Sequence, residues 1–550
     1  MKATTDPQSG YCSETKTFHS LRPIVPLPPE SQPLSFPSFA LSLLRHSPPP
    51  SPSTLAFIFP SSISISKSLS FPDFLSLTKS LSVSLRLRLR LSKGDVAFIL
   101  SPLRLEIPVL LFSLLEIGAV LSPSNPLSSP SDISRQIRLS RPKIAFATSS
   151  TAASLPPDLP VVLIDSDDFR WMFIDRGGGG SEDPPPIEVI RQSDTAAILF
   201  SSGTTGRSKA AAIPHRSYIA MVAGFREPAA ETAEVTMLLA PLFHTMGLFL
   251  CLKGVALGET TVMAAAERFE VGAVAAAVAE HGVTVLAAAP TVLVALERAA
   301  AEEGIVVRLE SLRRVFVGGA PLLREAAERF ARRFRHVRIE QGYGSTEAGG
   351  IARTRREDEC ESYESVGKLS ENLEAKIADP VTGELVGVGQ QGELWLRGPS
   401  IMKGYIDDDD ANALTFTSDG WLKTGDLCRF DENGYLYVVD RIKELIKYKA
   451  YQVPPMELEL ILRSLPHISD AAVIPYPHEE AGQIPMAYVV RKPGSHIDEA
   501  TVMDFVAGQV APYKKIRRVA FVDSIPKSPT GKVLRRELVS HAISASASKL

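Results

Sequence analysis

The sequence predicts an α/β protein with a large N-terminal domain of helix-covered sheets and a small, mobile α+β C-terminal domain. At 550 residues the chain is too long for one hydrophobic core, so at least two domains are expected. From Ala97 to about Gln341, strand-like apolar runs alternate with helical ones, which implies parallel sheets covered by helices. After Asp440 the order becomes helix, strand, strand, helix, strand. We therefore expect domains at residues 1–439 and 440–550.

Local patterns predict the individual elements. Residues 1–50 are rich in proline and serine and are expected to form extended surface chain. Residues 81–91 alternate leucine with serine or arginine, which is a strand period. The apolar run 195–200 predicts a buried strand, and apolar positions along 322–334 form one helix face. In the small domain we expect helices at 455–464 and 498–509, and strands at 470–475, 485–491 and 518–522.

Composition and charge exclude several classes of protein. The formal net charge of −3 indicates neither nucleic-acid binding nor a disordered acidic chain. No apolar run of membrane-spanning length lacks charge, and no secretory leader is evident. The scattered cysteines, typical of a reducing compartment, are Cys12, Cys251, Cys360 and Cys428. The final Ser548-Lys549-Leu550 forms a peroxisomal address, which predicts peroxisomal localisation through the import receptor.

A hydroxyl- and glycine-rich turn follows the 195–200 strand and precedes a single lysine. Its predicted phosphate-binding residues are Ser201, Ser202, Gly203, Thr204, Thr205, Gly206 and Lys209. Backbone N–H groups and hydroxyls of such a loop can surround phosphate oxygens, and the lysine can supply a point charge. The spacing is not the G-x-x-x-x-G-K-[ST] of NTPases, so a kinase or GTPase interpretation fails. Taken alone, such a segment is more often an ordinary turn.

A second motif, Gln-Gly-Tyr-Gly-Ser-Thr-Glu at 341–347, also follows an apolar strand. Its glycines allow close approach of the backbone to a ligand. Tyr343 can stack, Thr346 can bind a phosphate oxygen, and Glu347 can bind Mg²⁺. Because Mg²⁺ keeps several waters and takes only one or two protein oxygens, a single carboxylate beside a phosphate-binding hydroxyl suits it. The alternative is a turn with a solvated glutamate.

The loop S-S-G-T-T-G-x-x-K resembles the phosphate loop of the adenylate-forming acyl-CoA synthetases, and further motifs follow in that family's order. They include Asn-Pro-Leu at 125–127, Ala-Pro-Leu-Phe-His-Thr at 240–245, Val-Gly-Gly-Ala-Pro at 317–321 and Glu-Leu-Ile-Lys-Tyr-Lys at 444–449. From about residue 18 onwards, the chain resembles the plant 4-coumarate–CoA ligase and ligase-like family. The resemblance implies the acyl-CoA synthetase/luciferase-like fold, a helix at 81–91, and ATP with Mg²⁺, CoA and a small carboxylic acid as partners.

The resemblance also implies a role for each matching residue. Lys532 and His244 would be catalytic, His244 beside the acyl carboxylate, with Glu347 as the metal ligand and Asp440 as the hinge. The implied ATP- or AMP-binding residues, besides the loop at 201–209, are Gln341, Gly342, Tyr343, Thr346, Asp426, Arg441 and Lys532. The implied acyl-adenylate pocket comprises Met246, Leu250, Gly319, Gln341, Gly342, Thr346, Thr354, Lys443 and Lys447. The implied CoA-binding residues are Arg268, Lys449 and Ala450.

These roles lead to a mechanism of two half-reactions. An acyl carboxylate attacks the α-phosphorus of ATP, and Lys532 stabilises charge on the phosphoryl oxygens. The small domain then rotates about Asp440, so that Lys532 withdraws, Lys447 and Lys449 approach, and CoA attacks the acyl adenylate. A luciferase-like oxygenase, a fatty-acyl or jasmonate-precursor CoA synthetase of the peroxisome, and a non-catalytic nucleotide-binding homologue remain alternatives.

Some residues depart from the family pattern. Ala210 and Ala450 each stand where glycine is usual, and Ala450 is expected to narrow the path of the CoA arm. Met246 occupies the position where hydroxycinnamate ligases carry the tyrosine of the phenol pocket. Because a buried hydroxyl without a partner costs about 1–3 kcal/mol, we expect an apolar acid or an unsubstituted cinnamate-like acid, unless another pocket residue supplies the missing partner.

Overall fold

The computed structural model describes residues 5–46, 51, 53–60, 67–174, 186, 188–201, 208–226, 234–264, 270–301, 308–449, 451–478, 480–528 and 531–547. Its strands are β1 Tyr11–Cys12, β2 Thr17–His19, β3 Leu55–Phe59, β4 Lys67–Ser70, β5 Val96–Leu100, β6 Val120–Pro123, β7 Ile144–Ala147, β8 Val161–Leu163, β9 Thr195–Ser201, β10 Lys209–Pro214, β11 Val235–Leu238, β12 Thr260–Met263, β13 Val285–Ala288, β14 Arg314–Gly318, β15 Arg338–Ser345, β16 Gly349–Arg353, β17 Lys368–Leu369, β18 Glu374–Ala378, β19 Leu385–Val386, β20 Gly392–Arg397, β21 Gly404–Tyr405, β22 Leu422–Phe430, β23 Leu436–Arg441, β24 Ile446–Tyr448, β25 Tyr451–Val453, β26 Ile468–His478, β27 Gly482–Arg491 and β28 Arg518–Phe521. Its helices are α1 Phe36–His46, α2 Phe71–Leu87, α3 Glu106–Glu116, α4 Pro130–Ser140, α5 Asp167–Ile174, α6 His215–Phe225, α7 Thr245–Leu257, α8 Val271–His281, α9 Pro290–Ala301, α10 Arg324–Arg333, α11 Asp409–Thr415, α12 Pro455–Ser464, α13 Glu499–Ala507 and α14 Arg535–Ala547.

Two sheets with parallel centres form most of the large N-terminal part. The first has the strand order β21-β10-β9-β6-β5-β7-β8, and the second has the order β17-β16-β15-β14-β13-β11-β12-β3-β4. Strands β5 to β9 pair in parallel in the first sheet, and β11 to β15 do so in the second. Parallel neighbours need a crossover connection, usually a helix. The expected helix-covered parallel sheets are therefore confirmed.

A third, antiparallel sheet completes this large part of the fold. Its strand order is β1-β2-β18-β20-β22-β23, and β19 lies beside β18. One hydrophobic cluster contains Phe57 of β3, Phe146 of β7 and Leu396 of β20, so it reaches all three sheets. Together the three sheets behave as one packed unit.

The fourth sheet and its helices form the small C-terminal α+β domain. Strand order is β25-β24-β27-β26, with β28 parallel to β27. A separate hydrophobic cluster holds the sheet to α12 and α13 through Ile446, Leu458, Val473 and Val502. The elements expected from the sequence at 455–522 are observed within three residues of their expected ends, and β26 and β27 are each three residues longer at the hairpin between them.

The expectation of extended surface chain over residues 1–50 is wrong in two places. Strand β2 joins the edge of the third sheet, where Phe18 is 1% exposed and its ring lies 4.4 Å from that of Phe430. Helix α1 is packed in the main core, with Phe36 fully buried. Pro37 does not prevent this helix, because proline is tolerated in the first turn, where the N–H has no intrahelical acceptor.

Residues 81–87 form the end of helix α2, as the family resemblance implied, and the strand-like alternation was misleading. Phe74, Thr78, Leu81 and Leu85 lie on one buried face at helical spacing. The intervening serines are small enough to be buried as well, and Ser84 donates a hydrogen bond to the Met172 carbonyl at 2.7 Å. Alternation of leucine with serine therefore does not distinguish a helix from a strand in this segment.

The cysteines and the helix lengths bear on the redox compartment and on membrane-spanning segments. All four cysteines are buried and unpaired, so the described fold contains no disulfide. Within the described ranges, no helix has both the length and the apolar character required to span a bilayer.

Candidate active site

A cavity of about 900 Å³ lies where the large N-terminal part meets the loop before α14. Ten of the predicted site residues line it: Ser201, Lys209, His244, Met246, Gly319, Gly342, Tyr343, Thr346, Glu347 and Arg441, and Lys532 reaches it from the small domain. The remainder of the predicted phosphate loop, Ser202 to Gly206, lies outside the described residues, as do Arg268 and Ala450. The structure thus brings together segments that are more than 300 positions apart in the sequence.

The β15–β16 hairpin forms one wall, and its glycines are required by close packing. A Cβ on Gly342 would lie 2.5 Å from Cζ of Phe316, and a Cβ on Gly344 would lie 2.3 Å from the Gly349 carbonyl oxygen. Any side chain at these positions would displace the neighbouring strand or ring. The hairpin therefore presents its backbone, with Thr346 and Glu347 at the turn, directly to the cavity.

Asp426, Arg441 and Tyr343 form a buried polar cluster at this wall. Arg441 Nε lies 2.6 Å from Asp426 Oδ1, and the Tyr343 hydroxyl donates to Asp426 Oδ2 at 2.5 Å. Asp426 is 2% exposed, and burial raises the pKa of its carboxyl although Arg441 favours the ionised form. Asp426 and Arg441 are opposite each other on β22 and β23, so the strand register aligns the pair.

Glu347 and Lys209 approach each other through Tyr405, which the sequence analysis did not select. The Tyr405 hydroxyl donates to Glu347 Oε1 at 2.8 Å, and Lys209 Nζ lies 4.6 Å from the centre of the Tyr405 ring. Among the described residues no cluster of three or more metal-binding side chains occurs. One carboxylate at this cavity fits Mg²⁺ that arrives on a nucleotide and keeps its waters, not a resident metal held by the protein alone.

His244 and Met246 begin helix α7 at the opposite side of the cavity. Burial lowers the pKa of the His244 imidazole, which favours the neutral ring at physiological pH. Met246 packs close to β14, since a Cβ on Gly318 would lie 3.2 Å from its sulfur. Gly319 follows with φ of +85°, a conformation that favours glycine.

The lysines near the interdomain turn differ in position. Lys532 lines the cavity, and burial and the nearby Arg441 lower the pKa of its ammonium. Lys443 is exposed and does not line the cavity. Partial burial of its ammonium and the charges of Lys532 and Arg441 nevertheless lower its pKa to about 8. Lys447 and Lys449 are exposed on the fourth sheet and do not line the cavity.

Three of the predicted pocket residues support the walls and do not line the cavity. The backbone N–H of Gln341 donates to Thr354 Oγ1 at 2.8 Å, and the Gln341 amide nitrogen donates to the Ser365 carbonyl at 3.0 Å. Both residues are buried, and so is Leu250 on α7. A buried amide needs hydrogen-bond partners, and Gln341 finds them in the protein.

The cavity also contains residues that motif analysis missed. Phe225, Phe249 and Phe316 form an aromatic end, next to which lie Arg353 and Glu371. Arg353 is the last residue of β16, which otherwise consists of glycine and apolar residues. A charged residue at the end of such a strand is the sequence pattern that could have indicated it. Arg353 thus places hydrogen-bond donors in the cavity wall from an element other than the helix that carries Met246.

Comparison with known proteins identifies the family. A model described as AMP-binding enzyme matches residues 44–406, and one described as AMP-binding enzyme C-terminal domain matches residues 457–532. The chain belongs to the AMP-binding enzyme family. Within it, 4-coumarate–CoA ligase-like 6 of Oryza sativa subsp. japonica is 49% identical to this AMP-binding enzyme over 567 residues, covering 99% of this chain and 93% of that protein.

Other relatives of this AMP-binding enzyme are also CoA ligases. Peroxisomal OPC-8:0-CoA ligase 1 of Arabidopsis thaliana is 42% identical over 557 residues, covering 99% of this chain and all of that protein. O-succinylbenzoate CoA synthetase of Bacillus subtilis, solved with ATP and a magnesium ion, has a TM-score of 0.75 at 26% identity, covering 91% of this chain and 98% of that chain. The expected acid–thiol ligase activity, dependent on ATP, is supported, and the oxygenase and non-catalytic alternatives are not favoured.

Proposed function

We propose that this AMP-binding enzyme ligates a carboxylic acid to CoA in two half-reactions at the cavity described above. The observation that carries the proposal is the meeting of Lys532, Arg441 and Glu347 at one part of a cavity whose other part is aromatic. Such a cavity offers charge for a nucleotide and apolar surface for an acyl chain. We further propose that Asp440 marks the boundary between domains 1–439 and 440–550.

In the first half-reaction, a carboxylate oxygen of the acid forms a bond to the α-phosphorus of ATP, the bond to the β-phosphate breaks, and pyrophosphate leaves. Lys532 holds its positive charge at the phosphoryl oxygens, where negative charge develops. Asp426 accepts from the ribose hydroxyls while Arg441 donates. Mg²⁺ bound with ATP would neutralise part of the triphosphate charge, and Glu347 would hold it. Lys209, Thr346 and the loop at 201–206 would bind the phosphates.

In the second half-reaction, the CoA sulfur forms a bond to the acyl carbon, the thiol proton is lost, and AMP leaves. We propose that the small domain turns about Asp440, withdrawing Lys532 and bringing Lys447, Lys449 and Ala450 to the cavity. The exposure of Lys447 and Lys449 on the fourth sheet leaves them available for this exchange, and Arg268 would bind CoA from the large domain.

The test is release of AMP that depends on both CoA and a carboxylic acid, measured over a panel of acids. The proposal predicts one AMP and one thioester for each ATP consumed. Light emission or oxygen uptake from the adenylate would instead support the oxygenase. Binding of ATP without AMP release for any acid would support the non-catalytic homologue.

We propose a peroxisomal location, supported by the relative named as peroxisomal and by Ser548-Lys549-Leu550, which lie outside the described residues. Removing these three residues should leave a protein with an N-terminal fluorescent tag diffuse in the cytosol, because the receptor reads the terminal tripeptide. The intact chain carrying the same tag should give puncta. Puncta that persist after the deletion would show that another signal directs import.

A further inference from the structure

Arg353 lies at the aromatic end of the active-site cavity. Its guanidinium carbon is 4.0 Å from the centre of the Phe225 ring, and Phe225 is 5.2 Å from Phe249 and 6.4 Å from Phe316 between ring centres. The residue is 7% exposed and belongs to the cavity wall. A cation in so apolar a setting needs polar partners.

Only part of the guanidinium is satisfied by the protein. Nη2 donates to the Gly224 carbonyl at 2.8 Å and to Glu371 Oε1 at 2.9 Å. Nε and Nη1 have no acceptor among the described residues, and Arg353 lines the cavity. Arginine carries five N–H donors, so three of them remain for a molecule in the cavity.

One carboxylate serves the two guanidinium groups at this site. Glu371, whose side chain is 4% exposed, accepts from Arg353 and also from Arg355 Nη1 at 3.2 Å. The Glu371 carboxylate also belongs to the cavity wall. A second carboxylate placed here would be attracted by the two arginines but repelled by Glu371, whereas a neutral oxygen would accept hydrogen bonds without that repulsion.

Arg353 is far from the proposed site of chemistry. It stands opposite Gly342 at the end of β16, whereas Thr346 and Glu347 lie in the turn before Gly349. Four residue steps along the strand lead from Gly349 to Arg353, which corresponds to about 13 Å. A group bound by Arg353 would therefore belong to the end of the acyl chain opposite the reacting carboxylate.

We propose that Arg353 is a specificity-determining residue that binds a neutral hydrogen-bond acceptor, a ketone or hydroxyl oxygen, at the distal end of the acyl substrate. This inference rests on the proposed ligase function. The substrate class is then an oxo- or hydroxy-acid whose middle is apolar enough for Phe225, Phe249 and Phe316. Unsubstituted acids of the same length leave the Arg353 donors without a partner, which disfavours them.

The test is kcat/KM for AMP release with straight-chain acids of 8, 10 and 12 carbons, each compared with its penultimate oxo-acid, its terminal hydroxy-acid and its α,ω-dicarboxylic acid. We expect at least one length at which the oxo- or hydroxy-acid exceeds the unsubstituted acid by about tenfold or more, with the dicarboxylic acid below both. In Arg353→Met this ratio should fall to near one. In Arg355→Met, which alters the other partner of Glu371, the ratio should persist.

Arg353→Lys replaces the methionine variant in this test if that variant does not fold, because lysine keeps the ion pair with Glu371 but has fewer N–H donors. The ratio of kcat/KM for oxygenated and unsubstituted acids should then fall below that of the wild type. Equal kcat/KM for unsubstituted and oxygenated acids at every length in the wild-type enzyme would overturn the inference, as would an unchanged ratio in a folded Arg353 variant. Absence of acid- and CoA-dependent AMP release with every acid would instead overturn the proposed function.

Discussion

At the residue scale, the active-site cavity concentrates positive charge that the protein only partly balances. Burial and Arg441 lower the pKa of Lys532, so the folded enzyme holds this ammonium at a cost in free energy. Negative charge developing on a phosphoryl oxygen reduces that cost, and it does so most in the transition state. Under the proposed mechanism, the arrangement would therefore favour adenylation over simple nucleotide binding.

Lys532→Ala should reduce the rate of adenylation by about 10²–10³, the usual loss when one donor to a developing oxyanion is removed. Thioester formation from a supplied acyl adenylate should largely persist. The measurement is acid-dependent exchange of pyrophosphate into ATP. Lys527→Ala is the matched control, because Lys527 precedes Lys532 by five positions and pairs with Asp470 at 2.5 Å. Wild-type exchange in Lys532→Ala would contradict the assigned role.

At the element scale, helix α1 joins the N-terminal segment to the main core. The Phe36 ring lies 6.1 Å from Phe112 on α3 and 6.0 Å from Tyr218 on α6. The Phe36 N–H donates to His215 Nδ1 at 3.1 Å, and complete burial lowers the pKa of that histidine to about 4. The neutral imidazole can then act as an acceptor, so α1 is held by apolar and polar contacts together.

Phe36→Ala should lower the free energy of unfolding by about 3–5 kcal/mol, the usual cost of truncating a buried phenylalanine. Arg45→Ala is the control, since Arg45 is exposed on the same helix. The measurement is the midpoint of urea-induced unfolding, which should fall for Phe36→Ala and change little for the control. Equal midpoints in the two variants would show that residues 36–46 do not contribute to the core.

At the scale of the whole molecule, Asp440 links the third sheet to the small domain. Its Oδ1 accepts the N–H of Arg441 at 2.7 Å, and its Oδ2 accepts the N–H of Met456 on α12 at 2.8 Å. Burial outweighs both hydrogen bonds and raises the carboxyl pKa to about 6. A proton therefore binds this carboxyl more tightly in the folded state than in the unfolded state.

Asp440 should make the folded state less stable as pH rises from about 4 to about 6, and its contribution should be constant above that. The shift from 3.8 to about 6 corresponds to about 3 kcal/mol at about 1.4 kcal/mol per unit. Asp440→Asn cannot titrate, so the stability of wild type relative to this variant should fall over this interval in denaturation experiments at several pH values.

Asp419→Asn is the control for this pH dependence. A hydrogen bond from Thr417 lowers the pKa of the exposed Asp419, so its stabilisation is lost only at more acidic pH. The difference in stability between wild type and Asp419→Asn should change little from pH 4 to 6, and any change should be an increase in wild-type stability with pH. A wild-type stability that stays parallel to that of Asp440→Asn would show that the pKa of Asp440 is not raised.

The sequence alone determined the fold class and the family, and it selected Lys209, Thr346, Glu347 and Arg441, which line one cavity. The alternation of strands and helices, which predicts parallel sheets, could be recognised because apolar periodicity is a local property of the chain. The 201–209 segment and the 341–347 motif were recognisable because each is contiguous in the sequence. The β15–β16 hairpin that presents the second motif lies where the sequence placed a strand.

Only the tertiary structure decided the aromatic end of the cavity and the environment of individual side chains. Phe225, Phe316, Arg353 and Tyr405 come from different strands and helices, and no local pattern distinguishes them from ordinary core or surface residues. Helix α1 was not predicted from its proline- and serine-rich sequence, because its burial depends on distant partners such as Phe112 and Tyr218. Burial and long-range pairing are properties of the packed chain, so a side chain's surroundings, and hence its pKa and its free donors, follow only from the assembled fold.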